Sequence, residues 1–108
     1  MSIHESGQMY LETIYILSRT KSYVRAIDVG EHLGYSKPSV SRAMSILKKD
    51  GYVLVDSDGA ITLTESGMEI AQTMYTRHTV LSEMLMRLGV DEKTATEDAC
   101  RIEHVISA

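Results

Sequence analysis

The sequence of 108 residues predicts a mainly helical fold with a small β-hairpin wing, arranged as a winged helix-turn-helix followed by a helical domain. Three observations predict it. Two helical patterns are joined by a short turn that contains Gly34, and two alternating apolar stretches flank the pair Asp58-Gly59. A long apolar seam at helical spacing then runs from Ala71 to Leu88.

The first two helices are predicted from apolar spacing. In "GQMYLETIYILSRT", Tyr10, Ile14 and Leu17 form one apolar stripe at helical spacing. A short second helix is expected over Ile27–Leu33, and Gly34 ends it.

A third helix should follow at once. Ser36 is a suitable N-cap residue, and Pro38 is tolerated in a first helical turn. Apolar residues then recur at i, i+4 and i+7 from Val40, and Gly51 ends the pattern. A helix, a short turn with glycine and a second helix are typical of the helix-turn-helix motif.

The stretch "YVLVDSDGAITLT" predicts the wing. Val53 and Val55 alternate with other residues before Asp58-Gly59, and a second alternating pair follows. An Asp-Gly pair between two such stretches is a strong signal for a β-hairpin turn.

Two helices are predicted in the second half of the chain. The longer should end at Gly89, and a capping box of Thr94 and Glu97 should begin the other. We therefore place a first domain at residues 1–64 and a helical domain at residues 65–108. The seam of the long helix, suited to packing on another helix, consists of Ala71, Met74, His78, Leu81, Leu85 and Leu88.

Composition and charge limit the class of protein. The single cysteine cannot form an internal disulfide, and no apolar stretch is long enough to span a membrane. Since the N-terminal stretch also lacks the features of a signal peptide, we expect a cytoplasmic protein with no membrane partner. The net charge is −4. Residues 1–50 carry seven Lys/Arg and five Asp/Glu, which gives +2. Residues 51–108 carry four Lys/Arg and ten Asp/Glu, which gives −6. This asymmetry suggests two different tasks.

The predicted third helix carries a local excess of positive charge. From Lys37 to Asp50, four cations stand against one acid, and the first turn is rich in short hydroxyl side chains. A helix that enters the major groove needs small donors near bases and cations near phosphates. We therefore predict double-stranded operator DNA as a partner, the alternative being a basic helix that is merely solvated. The residues predicted to contact DNA are Arg25, Ser36, Lys37, Pro38, Ser39, Ser41, Arg42, Lys48 and Lys49.

A second group of chemically active residues lies in "ACRIEHVIS". On a helix, Cys100, Glu103 and His104 fall within about 100° of one face. A thiolate, a carboxylate and an imidazole together form part of a ligand set for a transition metal. Three ligands are too few for a closed structural zinc site, so others must come from elsewhere in the chain. His78 is the first choice because it interrupts an apolar seam, although a hydrogen-bonded core histidine is the simpler interpretation.

Met9 and Glu12, three residues apart on the first helix, are the next choices. A methionine in the core and a solvated glutamate are the simpler interpretations of these two. A nucleophilic pair of Cys100 and His104 is disfavoured because the sequence offers no oxyanion hole and no glycine-rich loop. We therefore do not expect an enzyme.

Taken together, these stretches resemble a known family. "MYLETIYIL", the "SKPSVSRAM" helix, the Asp-Gly hairpin, "TRH" and "ACRIEHVIS" are similar to the DtxR/MntR family of metal-dependent repressors over about residues 7–107. The family is named after the diphtheria toxin repressor and the manganese transport regulator. The resemblance implies a DNA-binding domain, a metal-binding and dimerisation domain, a homodimer and a divalent metal as corepressor. Since members usually continue by a further helix, the dimerisation domain is expected to be incomplete at Ala108.

The resemblance also implies the metal ligands. Iron-responsive members build the primary site from a Met, a Cys, a Glu and a His, and this sequence matches all four. Manganese-responsive members have carboxylates in place of the Met and Cys and add a Glu on the first helix and a His on the long helix. This sequence matches those two additions as well and is therefore a hybrid. The implied ligands are Met9, Glu12, His78, Cys100, Glu103 and His104.

The ligand chemistry and the family together set the expected function. Met9 and Cys100 are softer ligands than carboxylates and favour Fe(II), with Mn(II) possible and Zn(II), Co(II) or Ni(II) able to bind in vitro. We expect a metal-dependent transcriptional regulator that represses metal-uptake genes. One alternative is a winged-helix regulator that senses a small molecule or oxidation through Cys100 without metal. Another is a metal-binding module that never contacts DNA, against which the basic third helix argues.

Overall fold

The computed structural model describes residues 5–106, where a mainly helical chain contains one two-stranded antiparallel hairpin. This order of elements confirms the predicted fold class. None of the helices in this range combines the length and the hydropathy that crossing a membrane requires. The elements are α1 (Glu5–Ser18), α2 (Ala26–Leu33), α3 (Lys37–Lys49), β1 (Val53–Val55), β2 (Ile61–Leu63), α4 (Glu65–Arg87) and α5 (Glu92–Ile102).

The chain divides into two compact units, Met1–Gln72 and Thr73–Ala108, which we call the N-terminal unit and the C-terminal unit. The boundary falls within α4. The domain limit expected after residue 64 stays a prediction of the sequence.

The helix-turn-helix has the caps that the sequence predicts. Gly34 adopts a left-handed conformation with φ of 74°, and its N–H donates to the Gly30 carbonyl at 2.8 Å. The side chain of Ser36 accepts a hydrogen bond from the Ser39 N–H and begins α3, with Pro38 in the first turn. The turn between α2 and α3 is therefore fixed by a glycine C-cap and a serine N-cap only two residues apart.

The wing is a short hairpin closed by an aspartate. Val55 pairs with Ile61, and Oδ1 of Asp56 accepts hydrogen bonds from the N–H groups of Asp58 and Ala60 at 2.9 Å each. The N–H of Ile61 also donates to the carbonyl of Val24 at 2.7 Å, which adds a single bridge to the far side of β2. The hairpin is thus tied to the segment between α1 and α2.

One apolar core lies inside the N-terminal unit. It includes the Tyr10 and Ile14 positions of the predicted stripe, with Leu17 partly buried against it. The first turn of α4 comes so close to β1 that a Cβ at Gly67 would lie 2.1 Å from the Tyr52 carbonyl oxygen, so only glycine fits there. The buried members of this core are Tyr10, Leu11, Ile14, Val24, Val29, Val40, Met44, Leu47, Tyr52, Val53, Ile61 and Ala71.

The start of α5 differs from the prediction. The helix begins at Glu92, with Asp91 as its N-cap, because the Asp91 backbone is extended and its carboxylate accepts from the Thr94 N–H at 3.1 Å. Thr94 therefore lies inside the first turn, and the capping box predicted for Thr94 and Glu97 is wrong. An aspartate three residues before Thr94 was already available in the sequence and is an equally good N-cap residue.

The predicted seam of α4 is buried at its start and exposed at its end. Met74 is 4% exposed, whereas Leu88 is 74% exposed. Gly89, with φ of 97°, follows the helix, which ends at Arg87. Val80 and Met84 add to the exposed apolar side chains of this helix.

Candidate functional site

The cysteine, glutamate and histidine near the end of α5 converge as the sequence predicts. One ligand atom from each of Cys100, Glu103 and His104 lies within 4.8 Å of the others. The prediction placed all three residues on one face of a helix, but α5 ends at Ile102, before the glutamate and the histidine. The convergence survives because Glu103 keeps helical dihedral angles, and its N–H donates to the Ala99 carbonyl at 2.9 Å.

Glu103 lies at the centre of the cluster. Its side chain is fully buried, with Oε2 3.1 Å from Nδ1 of His78 and Oε1 3.3 Å from Nε2 of His104. An ionised carboxylate can only accept hydrogen bonds, so an ionised Glu103 pairs with the Nδ1–H tautomer of His78, in which Nε2 carries the lone pair. A metal-binding histidine is commonly held by a carboxylate in this way.

These residues fit a divalent transition metal. Metal bonds to carboxylate oxygen and imidazole nitrogen are about 2.0–2.2 Å long, so two such ligands of one ion stand roughly 3–3.5 Å apart. The 3.3 Å between Oε1 of Glu103 and Nε2 of His104 lies in that range. A buried carboxylate beside a thiol and two imidazoles also needs a compensating positive charge, which a cation supplies.

The two predicted ligands on α1, Met9 and Glu12, belong to the N-terminal unit. Glu12 is only 7% exposed. It is therefore buried, and the simpler interpretation of a solvated glutamate does not hold. Sδ of the partly buried Met9 accepts a hydrogen bond from the Tyr35 hydroxyl at 3.6 Å. The parts of Met9 and Glu12 in a metal site stay predictions.

Tyr35 also packs on Tyr10. Their ring centroids are 5.9 Å apart in an edge-on arrangement. Burial, together with the charge that Tyr35 would carry if ionised, raises the pKa of Tyr10 above its ordinary value. The Tyr10 hydroxyl therefore stays neutral at physiological pH.

The predicted DNA-binding residues of α3 present a basic surface. Lys37, Arg42, Lys48 and Lys49 are all exposed. Within residues 5–106, no ion pair joins any of them to a carboxylate. Their charges therefore remain available to phosphates.

The hydroxyl groups of α3 divide into two kinds. Ser36 and Ser39 bond each other, with Oγ atoms 2.9 Å apart, and their first task is to cap the helix. Ser41, one turn further on, is exposed, as is Pro38. The contact predicted between Ser41 and DNA stays a prediction.

Arg25 lies before α2, where sequence reasoning missed its partner. Its guanidinium is 4.8 Å from the ring centre of Tyr23, and its N–H donates to Asp28 at 2.9 Å. The residue between them, Val24, forms a β-bridge, and side chains two apart on extended backbone share a face. Tyr23 is 57% exposed, so this pair of an aromatic ring and a cation faces solvent.

A winged helix-turn-helix with an exposed basic helix, followed by a helical unit with transition-metal ligands, defines a metal-responsive DNA-binding protein. The sequence matches two family descriptions: "Iron dependent repressor, N-terminal DNA binding domain" over residues 2–61, and "Iron dependent repressor, metal binding and dimerisation domain" over residues 64–108. The chain belongs to the iron-dependent repressor family. The family is one of DNA-binding transcriptional repressors, not of enzymes, with operator DNA as partner and a dimerisation domain that makes homodimers.

Curated relatives and solved structures agree with this assignment. The chain is 35% identical over 102 residues to the HTH-type transcriptional regulator MntR of Lysinibacillus sphaericus, covering 94% of this chain and 73% of that protein. MntR of Bacillus subtilis is also 35% identical, with 72% of that protein covered. The manganese regulator SloR superposes with a TM-score of 0.82 at 28% identity, over 99% of this chain. A manganese-dependent transcriptional repressor in complex with manganese gives 0.82 at 30% identity, over 94% of this chain.

The chain spans 49% and 47% of those two solved chains, about half of their length. The comparisons show a metal-dependent DNA-binding repressor.

Proposed function

We propose that this protein is a corepressor-driven switch in which Cys100, Glu103, His104 and His78 bind one divalent transition metal. The observation that carries the proposal is the convergence of a thiol, a buried carboxylate and an imidazole within 4.8 Å in the C-terminal unit. Met9 and Glu12 on α1 complete the ligand set, as the resemblance to both branches of the family implies.

We propose Fe(II) as the preferred ion, with Mn(II) as the second. The curated relatives are manganese transport regulators by name, and one of the similar structures holds manganese. Met9 and Cys100 supply sulfur where a manganese-type site has carboxylates, and softer ligands favour iron over manganese. The hybrid ligand set therefore predicts a shift of preference and not a loss of response to Mn(II).

The bound ion would supply a positive charge that neutralises Cys100 and Glu103 and favours one arrangement of the chain. Since ligands are proposed on both units, that arrangement fixes where the two α3 helices of a dimer lie. Half-sites on DNA are roughly 34–36 Å apart, so the distance between the recognition helices controls affinity. A 100-fold effect on operator binding corresponds to about 2.7 kcal/mol of coupling.

Contacts within the N-terminal unit support a link between α1 and the DNA-reading helix. The Tyr35 hydroxyl donates to Met9, and Tyr35 directly precedes Ser36, the N-cap of α3. A change at the Met9 sulfur would therefore reach the start of α3 through one side chain.

We propose that α3 reads DNA with Ser41 and Arg42 near base edges and its lysines on phosphates. Arg25, stacked on Tyr23, adds a further cation outside α3. A regulator of this class acts in the cytoplasm, where its DNA is, and the metal response makes metal-uptake genes the expected targets.

The test is operator binding under controlled metal. Duplex DNA from the protein's own promoter region is titrated anaerobically with chelator, Fe(II) or Mn(II), and fluorescence anisotropy is followed. Tight binding is expected only with metal, and at lower concentrations of Fe(II) than of Mn(II). Cys100→Ala should lose most of the metal response, whereas Cys100→Glu should keep it and shift the preference towards Mn(II).

The outcomes separate the candidate functions. Binding that is equal with chelator and with metal would refute the switch. If such binding were instead lost on treatment with peroxide and Cys100→Ala resisted that treatment, a redox sensor would replace it. Metal binding without any salt-dependent affinity for duplex DNA would indicate a metal-binding module.

A further inference from the structure

Arg77, on α4, reaches the end of α5. Its Nη1 donates two hydrogen bonds to main-chain carbonyls, to Glu103 at 3.2 Å and to Ile106 at 3.1 Å. Both partners lie in the turn that follows Ile102, where the α-helix has ended. One guanidinium nitrogen therefore joins the two ends of the segment 103–106.

The first of the two carbonyls, that of Glu103, lies at the C-terminus of α5. The last turn of an α-helix leaves carbonyl oxygens without a partner in the helix, and they carry the negative end of the helix dipole. The side chain of Arg101, in that last turn, is directed to Asp98. From another helix, Arg77 thus places a cation at the Glu103 carbonyl, directly after the last residue of α5.

His78, the neighbour of Arg77 in α4, contacts the side chain of Glu103. Nδ1 of His78 is 3.1 Å from the carboxylate of Glu103, while Arg77 bonds the carbonyl of Glu103. Consecutive residues of a helix point about 100° apart, so the two approach Glu103 from different sides. The backbone and the side chain of one proposed metal ligand are therefore both held by adjacent residues of α4.

We propose that Arg77 is a positioning residue for the metal centre. It fixes the segment 103–106 so that Glu103 and His104 present their ligand atoms towards Cys100, and it does so without binding the ion. Both bonds end on carbonyl oxygens and not on the carboxylate, so they use none of the oxygens that a metal requires. This inference rests on the ligand set proposed above.

The experiment is an anaerobic Co(II) titration of the whole chain, followed by thiolate-to-metal charge-transfer absorption and by the ligand-field bands. Arg77→Gln should bind Co(II) about 10- to 100-fold more weakly, the loss typical when a group that orients a ligand is removed. Its ligand-field spectrum should also change because Glu103 and His104 are displaced. Arg77→Lys, which keeps a cation but not the forked geometry, should recover part of the affinity.

The matched control is Arg87→Gln, which removes the same charge from an exposed position of the same helix. It should bind Co(II) as the unsubstituted protein does. Circular dichroism and thermal melting of each apo variant, under chelator, report on the fold separately. Wild-type affinity and spectrum in Arg77→Gln would overturn the inference. Weaker binding with an unchanged spectrum and an apo protein that has lost its helices would assign Arg77 a purely structural role and would also overturn it.

Cys100→Ala distinguishes this failure from failure of the proposed function. If Cys100→Ala loses the charge-transfer band and affinity while Arg77→Gln is normal, the ligand set stands and only the role of Arg77 falls. If Cys100→Ala keeps wild-type affinity, the ligand set is wrong, and the role of Arg77 falls with it.

Discussion

The two units bury different kinds of side chain. Among its described residues, the N-terminal unit places twelve apolar side chains in one core, most of them branched aliphatic or aromatic, so burial alone provides a strong driving force. Among described residues of the C-terminal unit, the buried apolar side chains are Met74, Ala95 and Ala99, and Ser82 and Glu103 are buried with them. Burying two alanines removes little apolar surface from water. A buried carboxylate costs free energy unless its charge is compensated.

This difference indicates what each unit requires. The N-terminal unit holds its fold through its own core, whereas the cation proposed to bind at Glu103 would compensate the buried carboxylate of the C-terminal unit. The C-terminal unit also exposes Val80 and Met84 on α4 and Leu88 directly after it. Exposed apolar side chains in this unit agree with the match of residues 64–108 to a dimerisation domain. Folding and sensing are thus assigned to different parts of one short chain.

The largest effect is expected in the apolar core. Leu11→Ala removes a side chain that is 0% exposed, and such a truncation costs about 2–5 kcal/mol of unfolding free energy. Denaturant unfolding followed by tyrosine fluorescence measures it well, since five of the six tyrosines lie before residue 73 and the chain has no tryptophan. We expect the loss to be the same with chelator and with saturating metal.

The matched control for this truncation is Leu54→Ala, which deletes the same atoms from a residue that is 61% exposed. It should change stability by no more than about 0.5 kcal/mol. A loss in Leu11→Ala that metal restores would break the comparison, because the N-terminal core would then depend on the metal.

A smaller effect is expected on DNA. Arg42→Ala should weaken operator binding by about 1–3 kcal/mol if the guanidinium reads a base edge. Metal affinity, measured by competition with a chelating dye, should not change, because Arg42 lies in α3 of the N-terminal unit. Lys49→Ala serves for comparison and should weaken binding to all sequences alike and reduce the salt dependence. Unchanged operator affinity in Arg42→Ala would remove this residue from the interface.

Much of the N-terminal unit was predictable because its signals are local. Ser36, Pro38 and Asp58-Gly59 specify a cap, a first turn and a hairpin from neighbouring residues alone, and the structure confirms each. The burial of Glu12 was not predictable in this way. A glutamate on a helix face gives no local sign of what will cover it.

The C-terminal unit was predicted in its chemistry more than in its detail. The spacing of Cys100, Glu103 and His104 was enough to bring three ligand atoms together, although the helix ends before the last two. The bond from Arg77 to a carbonyl 26 residues away has no sequence signal, since a main-chain acceptor is the same at every position. The start of α5 was misplaced because two capping patterns overlap and only the backbone decides between them.

The smallest effect is expected at Asp91, the N-cap of α5, and is confined to the C-terminal unit. The hydrogen bond from the Thr94 N–H lowers the pKa of Asp91 below its ordinary value. A carboxyl whose pKa is lowered in the folded state stabilises the fold, and this contribution is complete at pH values above the ordinary pKa of an aspartate. That contribution is lost as the pH falls through the lowered pKa, since the unfolded chain then binds the proton first. Acid should therefore fray the first turn of α5 before it affects α3.

The measurement is amide hydrogen exchange at Thr94, followed by NMR from neutral pH into the acid range. Asp91→Asn keeps an N-cap of equal quality but cannot titrate, so it should remove the acid-dependent loss of protection that is specific to this site. Because the other carboxyls titrate in both proteins, the difference between the two isolates Asp91. Identical pH profiles would show that the cap does not depend on the charge of Asp91, and the start of α5 would then be no weaker in acid than the start of α3.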